Sequence, residues 1–446
     1  MNFPDYIKNR LPDWPNWINV SLYYCNLFGK YAYGRNYLKI LNRIDSIDSE
    51  KRLLEIVNYA IEHVAYYRNR YGNLHINSIH EFEERIKPID KNEVMSHWEE
   101  FCCDDVMKYA YVTGTTGGTS GKPMKLLLPR NRYLHSLAFW HKELKWYGWH
   151  YDAKAVIRNH KLAADRIYKV NPITKEFYFD AFRVDADYSR KIWQIMRRYH
   201  IKYLHAYPSG AYQFLKYCHN QSFDLSSIRL CILSSEDITE NQRYFIEQEL
   251  HIPIYATYGH SEKLIRAATC PYSEKYHIEP CYGYCELIDS FGRVIQSPNQ
   301  EGELVGTTFI NRLFPLIRYR TGDYSSYADT NCMHHKGYKL LNRIQGHRDK
   351  SIIYRSDGGY TSIAALNLHG EIYEHIDGLQ YIQHKKGQLT VLIIPNRKYI
   401  DSTDTPFLKK HFENALGTDS EIELQFVDKL QFQPNGKFMP LITTVK

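Results

Sequence analysis

The densest chemical signal in the chain is Tyr111-Val112-Thr113-Gly114-Thr115-Thr116-Gly117-Gly118-Thr119-Ser120-Gly121-Lys122-Pro123. Glycines let successive backbone N–H groups turn toward one point, and the interleaved Thr and Ser hydroxyls add donors, which together make a nest for phosphate oxygens. Thr116, Gly117, Gly118, Thr119, Ser120, Gly121 and Lys122 are the candidate phosphate contacts. A flexible Gly/Thr linker is the competing reading, weakened by the apolar segments that flank the loop closely on both sides. The loop is not a Walker A sequence: no glycine lies five positions before Gly121, and Pro123 stands where Ser or Thr follows the lysine.

Three further segments carry chemistry. Tyr258-Gly259-His260-Ser261-Glu262 follows an expected strand, the place where α/β sheets present ligand contacts. Gly302-Glu303-Leu304-Val305 precedes Pro315-Leu316-Ile317-Arg318-Tyr319-Arg320-Thr321-Gly322-Asp323, and Gln433-Pro434-Asn435-Gly436-Lys437-Phe438 lies near the end. Each alone has a plain structural reading as a turn or loop; it is their order and spacing that carry meaning.

The elements that must position these segments follow from periodicity. Leu53, Leu54, Val57, Ile61 and Val64 recur at helical spacing within residues 51–70. A second helix follows Pro129 through Leu134, Leu137 and Trp140. Strands expected at 155–159, 203–207, 230–233 and 252–257 alternate with helices opening at Pro208 and around 240–250, the pattern of a parallel sheet covered on both faces. Residues 284–288 and 302–309 read instead as antiparallel strands. Beyond about residue 346 a hairpin over 379–395 and a strand over 422–427 form a small α+β module. The expected fold class is therefore α/β, with a large N-terminal domain of residues 1–347 that includes an antiparallel, barrel-like part, and a small C-terminal domain of residues 348–446.

Composition narrows the function. The 446 residues are 43% hydrophobic and 24% charged, ordinary for a globular chain, with 39 tyrosines read mainly as filler. A net charge of +7 is mild at this length, and basic residues are interleaved with acidic ones, as in Ser49-Glu50-Lys51-Arg52. Without a basic tail or zinc-finger spacing, a dedicated nucleic-acid binder is not expected, although the balance suits a polyphosphate site. Met1-Asn2-Phe3-Pro4-Asp5-Tyr6 has no charged-then-apolar leader pattern, no apolar run approaches the ~18 residues of a membrane span, and nine irregularly spaced cysteines suit reduced thiols; the expectation is a cytoplasmic chain.

In this order the four segments closely resemble the adenylate-forming superfamily of acyl-CoA synthetases and related ligases, and most closely its phenylacetate–CoA ligase and CapK-like capsular-polysaccharide branch. The Thr-Gly-Gly-Thr-Ser-Gly-x-Pro loop and the Pro-Leu-Ile-Arg-Tyr-Arg-Thr-Gly-Asp string carry the likeness, which spans roughly residues 110 to 440. The resemblance implies ATP-dependent activation of a carboxylate as its acyl-AMP, with a small mobile lid domain carrying Lys437. In those terms residues 116–121 hold the phosphates, with Tyr258 against adenine and Gly259, His260 and Ser261 beside it. Glu262 helps to hold Mg²⁺, and Asp323 accepts from the ribose hydroxyls. Ser235 and Glu236 fall, loosely, where the family has an adenine-contacting segment. Lys437 offsets the charge that accumulates when a carboxylate attacks the α-phosphate. One departure stands out: the family's Gly-Arg-x-Asp junction reads Gly346-His347-Arg348-Asp349, so that ribose contact passes to Arg348 or weakens, while Asp349 keeps the hinge position.

Cys270 and His277, with Cys332 and His334, form two ligand pairs able to make a tetrahedral zinc site, with Cys281 and His335 as rivals for two places. The resemblance supports a structural zinc; buried thiols with surface histidines are the plain alternative. His205, Tyr207 and Ser209 match a segment near the family's acyl pocket. Two acceptors stay open: an amine, in surface-polysaccharide biosynthesis, or CoA. A nucleotide-binding scaffold without catalysis is a third reading.

Overall fold

The computed structural model describes residues 11–25, 29–115, 124–234 and 238–346 apart from 159, 161, 164, 182 and 183, and then residues 352–356, 360–362, 366, 368, 372, 375–416, 420–433, 439 and 441–445. The chain divides into two compact units, Met1–Gln345 and Gly346–Lys446.

In the larger unit α1 (Ser49–His63) is capped by Asp48, whose side chain accepts from the Lys51 N–H at 3.0 Å. Its apolar stripe of Leu53, Ile56, Val57, Ala60 and Ile61 is buried. The helical periodicity continues past its end, but the helix does not: Val64 is extended (φ −126°, ψ 118°) and bridges to Cys103, and a second helix starts at Ala65. A β-branched residue that can pair with a neighbouring strand leaves the helix at little cost.

The glycine-threonine segment lies between two antiparallel strands, β1 (Tyr111–Thr115) and β2 (Lys125–Pro129). Next come α2 (Arg132–Trp146), β3 (Lys154–Ile157), β4 (Lys169–Asn171), β5 (Glu176–Tyr178), α3 (Ala186–Arg198), β6 (Tyr203–Ala206), α4 (Pro208–Asn220), β7 (Leu230–Ser234) and β8 (Ile254–Gly259). Pro208 at the first turn of α4 suits a position whose N–H has no helical partner. After β9 (Arg266–Cys270) and β10 (Ser273–Ile278) the chain enters β11 (Gly283–Ile288), β12 (Gly302–Thr308) and β13 (Tyr319–Ser325), and then β14 (Leu340–Leu341).

Among the described residues the main sheet has nine strands in the order β14-β10-β9-β8-β7-β6-β3-β5-β4. β5, β3, β6, β7 and β8 run parallel, and β9, β10 and β14 extend the sheet with antiparallel pairs. The parallel strands read as apolar runs because both faces are covered. On one face α2 packs through Leu144 near Trp149, Tyr203, Ile232 and Tyr255. That contact is fixed by a buried ion pair: Arg266 Nε of β9 donates to Glu143 Oε1 of α2 at 2.7 Å, and Tyr255 also donates to the Glu143 carboxylate. The antiparallel part forms a separate three-stranded sheet, β11-β12-β13, whose Leu287, Leu304 and Tyr319 share a core with α1.

The smaller unit contains β15 (Ile352–Tyr354), β16 (Tyr360–Ser362), β17 (Ile376–Gln383), β18 (Gln388–Pro395), α5 (Asp401–Leu416), β19 (Glu421–Phe426) and β20 (Leu441–Thr443). The expected hairpin is β17–β18; β19 and β20 flank it in parallel, and Leu408, Phe412 and Leu416 of α5 pack on the four-stranded sheet. The expected α/β class with a separate small α+β module is borne out.

Candidate nucleotide and acyl site

β8 ends the parallel part of the main sheet at Tyr258-Gly259, and β13 carries Asp323 in the three-stranded sheet. Their side chains meet: the Tyr258 hydroxyl donates to Asp323 Oδ2 at 2.8 Å. Burial, and then the Asp323 carboxylate beside it, hold the Tyr258 phenol well above its ordinary range, so it remains a proton donor.

Asp323 is presented by a bulge. Glu303 pairs with Tyr324 and Val305 with Arg320, so the strand β13 spends two extra residues across this stretch. Gly322 takes φ +76°, a value that glycine adopts without steric cost. Glu303 grips the bulge from β12: its Oε1 accepts from the Gly322 N–H at 3.0 Å and its Oε2 from Arg320 Nε at 2.8 Å. Thr321 Oγ1 donates to Leu304 O at 2.8 Å and accepts from the Asp323 N–H at 3.1 Å. The paired segments Gly-Glu-Leu-Val and Arg-Thr-Gly-Asp thus read as one device for holding a carboxylate out from a strand. Glu303 and Thr321 were not among the candidates, although both lie inside quoted motifs. Arg318 of the same string faces inward. It is 1% exposed, bonds bidentately to Glu286 at 2.8 and 3.2 Å, and donates to the carbonyls of Glu83 and Ile86 at 2.7 Å each.

Past Gly259 the chain turns. His260 and Glu262 are 14% and 12% exposed, with His260 Nδ1 3.1 Å from Glu262 Oε2. Burial alone would raise the Glu262 carboxyl; the hydrogen bond and polar attraction of His260, with the charge of Lys91, outweigh it and leave it below the ordinary range. An ionised, nearly enclosed carboxylate is a hard oxygen ligand. Mg²⁺ commonly takes one or two carboxylates and completes its shell with phosphates and water, so the donor set fits.

At the ends of β3 and β6 a basic group forms. Arg158 Nη1 lies 2.6 Å from His205 Nε2, the Arg158 guanidinium stands 4.9 Å over the Tyr207 ring, and Trp140 packs on His205 at 5.1 Å between centroids. Burial, then Arg158, Lys154 and His160, push His205 well below its ordinary range, so it is neutral and its Nε2 accepts from Arg158. Arg158 is a further residue that the sequence did not single out. Ser209 lies in the first turn of α4.

Cys270 at the end of β9, His277 on β10 and Cys332 in the loop after β13 place their ligand atoms within 4.8 Å of one another. The two thiols are 3.8 Å apart. His277 Nδ1 lies 3.2 Å from Ala268 O and 3.1 Å from Lys275 O, which puts the proton on Nδ1, while Nε2 is buried without a hydrogen-bond partner among the described residues. His335 Nε2 is also buried and unmatched among those residues, and its ring is 5.6 Å from His277. His334 instead stacks on Tyr272 at 3.6 Å, and the Cys281 thiol donates to Ile47 O at 3.5 Å.

Residues 116–122, Ser235, Glu236, His347, Arg348, Asp349 and Lys437 lie outside the described residues. Among the described residues no helix is long and apolar enough to cross a membrane.

The chain has known counterparts. Residues 353–444 match the CapK C-terminal domain family. The whole chain is 19% identical to Protein CapK of Staphylococcus aureus, over 99% of this chain and 100% of that one. It is 23% identical to phenylacetate-coenzyme A ligase of Pseudomonas putida over 44% of this chain and 47% of that protein. Among solved structures, 2-hydroxyisobutyryl-CoA ligase in the postadenylation state superposes with a TM-score of 0.67 at 14% identity, covering 88% of each chain. The fold is that of the adenylate-forming CoA ligases, as the motifs implied. Within that fold the chain is similar to CapK and to phenylacetate-CoA ligase, and the CapK C-terminal domain match is confined to residues 353–444.

The neutral state of His205 is measurable. Long-range ¹H–¹⁵N spectra of the imidazoles should show it still unprotonated at a pH where exposed histidines have become imidazolium. Conversion to imidazolium near pH 6 would contradict the burial and cationic surroundings described.

Proposed function

We propose that the chain is an AMP-forming ligase that activates a carboxylate with ATP as its acyl-adenylate, releasing pyrophosphate, and passes the acyl group to an amine or thiol acceptor. The observation that carries this is the Tyr258–Asp323 hydrogen bond, because it brings the two motif residues assigned to adenine and ribose onto one site beside the ionised Glu262. Two fixed carboxylate oxygens suit a ribose diol. Glu262 would hold Mg²⁺, which supplies charge neutralisation at the phosphates when bound. Lys437 supplies the ammonium that offsets charge between the attacking carboxylate and the α-phosphate; this role rests on the sequence pattern. The residues of 116–122 take the phosphates, Ser235, Glu236 and Arg348 contribute to the nucleoside, and Asp349 serves as hinge, on the same ground. No general base is required, since the nucleophile is ionised near neutral pH.

Likeness to CapK favours a setting in surface-polysaccharide biosynthesis, where an amine is one acceptor, and says little about the acceptor's chemistry. The named CoA ligases among its relatives favour CoA as the alternative. The test is isotope exchange: with ATP, Mg²⁺ and labelled pyrophosphate, a panel of carboxylates should return label to ATP for at least one member. No exchange across a broad panel, despite measured ATP binding, would leave the scaffold reading in its place. Adding CoA or candidate amines and weighing the products then separates thioester from amide. Lys437→Ala should lower exchange by at least about a hundredfold (~2.7 kcal/mol of transition-state stabilisation) with an unchanged circular dichroism spectrum. A variant of unchanged rate sinks the lysine's assignment.

The thiol–imidazole cluster suits a structural Zn²⁺ held by Cys270, His277 and Cys332. The unmatched His335 Nε2 is a better-placed fourth donor than His334, whose ring is engaged by Tyr272. The carbonyl-bound Nδ1 of His277 is the usual companion of a metal-bound Nε2. Protein purified without added metal should carry about one zinc per chain. Cys270→Ser with Cys332→Ser should lose it, and His335→Ala should weaken it more than His334→Ala does. Metal-free wild-type protein, or a stronger loss with His334→Ala, would contradict this set.

A further inference from the structure

We propose that His260, the middle residue of the Tyr-Gly-His-Ser-Glu segment, is a positioning residue that aims the Glu262 carboxylate at the nucleotide's divalent cation. This deepens the adenylation reading and rests on it. The geometry is directional. The Ile265 backbone N–H lies 3.3 Å from His260 Nε2. A backbone N–H only donates, so Nε2 is the acceptor and the ring proton sits on Nδ1. From there it points at Glu262 Oε2, 3.1 Å away. An imidazole held at one nitrogen by the main chain thus fixes one oxygen of the carboxylate.

What fixes the main chain is also visible. The turn from His260 closes with the Lys263 N–H on His260 O at 3.2 Å, with Lys263 at φ +61°. The next two residues, Leu264 and Ile265, are 0% and 1% exposed and lie against two glycines of the three-stranded sheet. A Cβ on Gly283 would come within 1.9 Å of Leu264 O, and one on Gly306 within 2.6 Å of Leu264 Cβ and 3.0 Å of Ile265 Cγ1. The close approach needs both glycines, and it sets where the Ile265 N–H points. The chain of cause runs from Gly283 and Gly306 through the 264–265 backbone to the tautomer of His260 and so to the direction of Glu262. A histidine that merely capped the Ile265 N–H would leave the carboxylate indifferent to it, and that difference can be measured.

The test uses Mn²⁺ and ATP with the full chain, reading bound Mn²⁺ by loss of the free-ion electron paramagnetic resonance signal. His260→Leu removes both hydrogen bonds, whereas His260→Gln keeps an acceptor and a donor at similar reach. Mn²⁺ held in the protein–ATP complex should weaken about tenfold in the Leu variant and return close to wild type in the Gln variant. ATP affinity without metal, measured in both variants, should fall less than Mn²⁺ affinity does in the Leu variant; an equal fall overturns the positioning role. Unchanged Mn²⁺ affinity in His260→Leu, beside a weakened Glu262→Gln, overturns the positioning role alone. Equal losses in the Leu and Gln variants overturn it too, since only a change of packing would then be at work. Unchanged affinity in Glu262→Gln defeats the magnesium assignment beneath it, which keeps the two failures distinct.

Discussion

The constraint on which the larger unit depends is the close approach of residues 264–265 to the three-stranded sheet. Gly283 and Gly306 leave no side chain in the way, and any Cβ there would overlap the Leu264 backbone or side chain. Overpacking of this kind typically costs about 1–3 kcal/mol. Because the contact comes just after the Tyr-Gly-His-Ser-Glu segment, it docks the end of the nine-stranded sheet onto the three-stranded one at the place where Tyr258 reaches Asp323. One packing constraint thereby aligns the Tyr258 ring and the Glu262 carboxylate, close together in sequence, with the Asp323 carboxylate of a distant strand.

Buried ionic groups then stiffen the surroundings. Arg266 with Glu143 ties the sheet to α2, and Arg318 with Glu286 ties the β13 entry to β11. Pairs of this kind add little net stability relative to apolar residues, yet losing one partner costs about 3–5 kcal/mol, so they penalise misplacement. Glu303 does the same on a smaller scale by holding the bulge that carries Asp323. The site's acids and bases are therefore set by neighbours that never need to touch a nucleotide.

Much of this was legible in the sequence. Alternating strands and helices gave the parallel sheet, because fully covered strands are apolar throughout, and Tyr258, Glu262 and Asp323 stood out through motif spacing. Glu303 and Arg158 did not, because their importance lies in partners 17 to 47 residues away, which no local pattern reveals. The same holds for His334 and His335: adjacent residues in a loop look equivalent until one ring stacks on Tyr272 and the other turns toward His277. The helical stripe that ran past His63 misled because periodicity carries no information about the Val64–Cys103 bridge. The basic group around His205 was the least legible part, since it forms only when β3 and β6 pair.

The claim that this joint builds a nucleoside site is tested most directly by a crystal structure of the chain with AMP. The account predicts adenine against the Tyr258 ring and both ribose hydroxyls within hydrogen-bonding distance of the Asp323 carboxylate, with the 264–265 backbone still seated on Gly283 and Gly306. AMP bound elsewhere, with the Tyr258–Asp323 hydrogen bond undisturbed and no ribose contact, would contradict it.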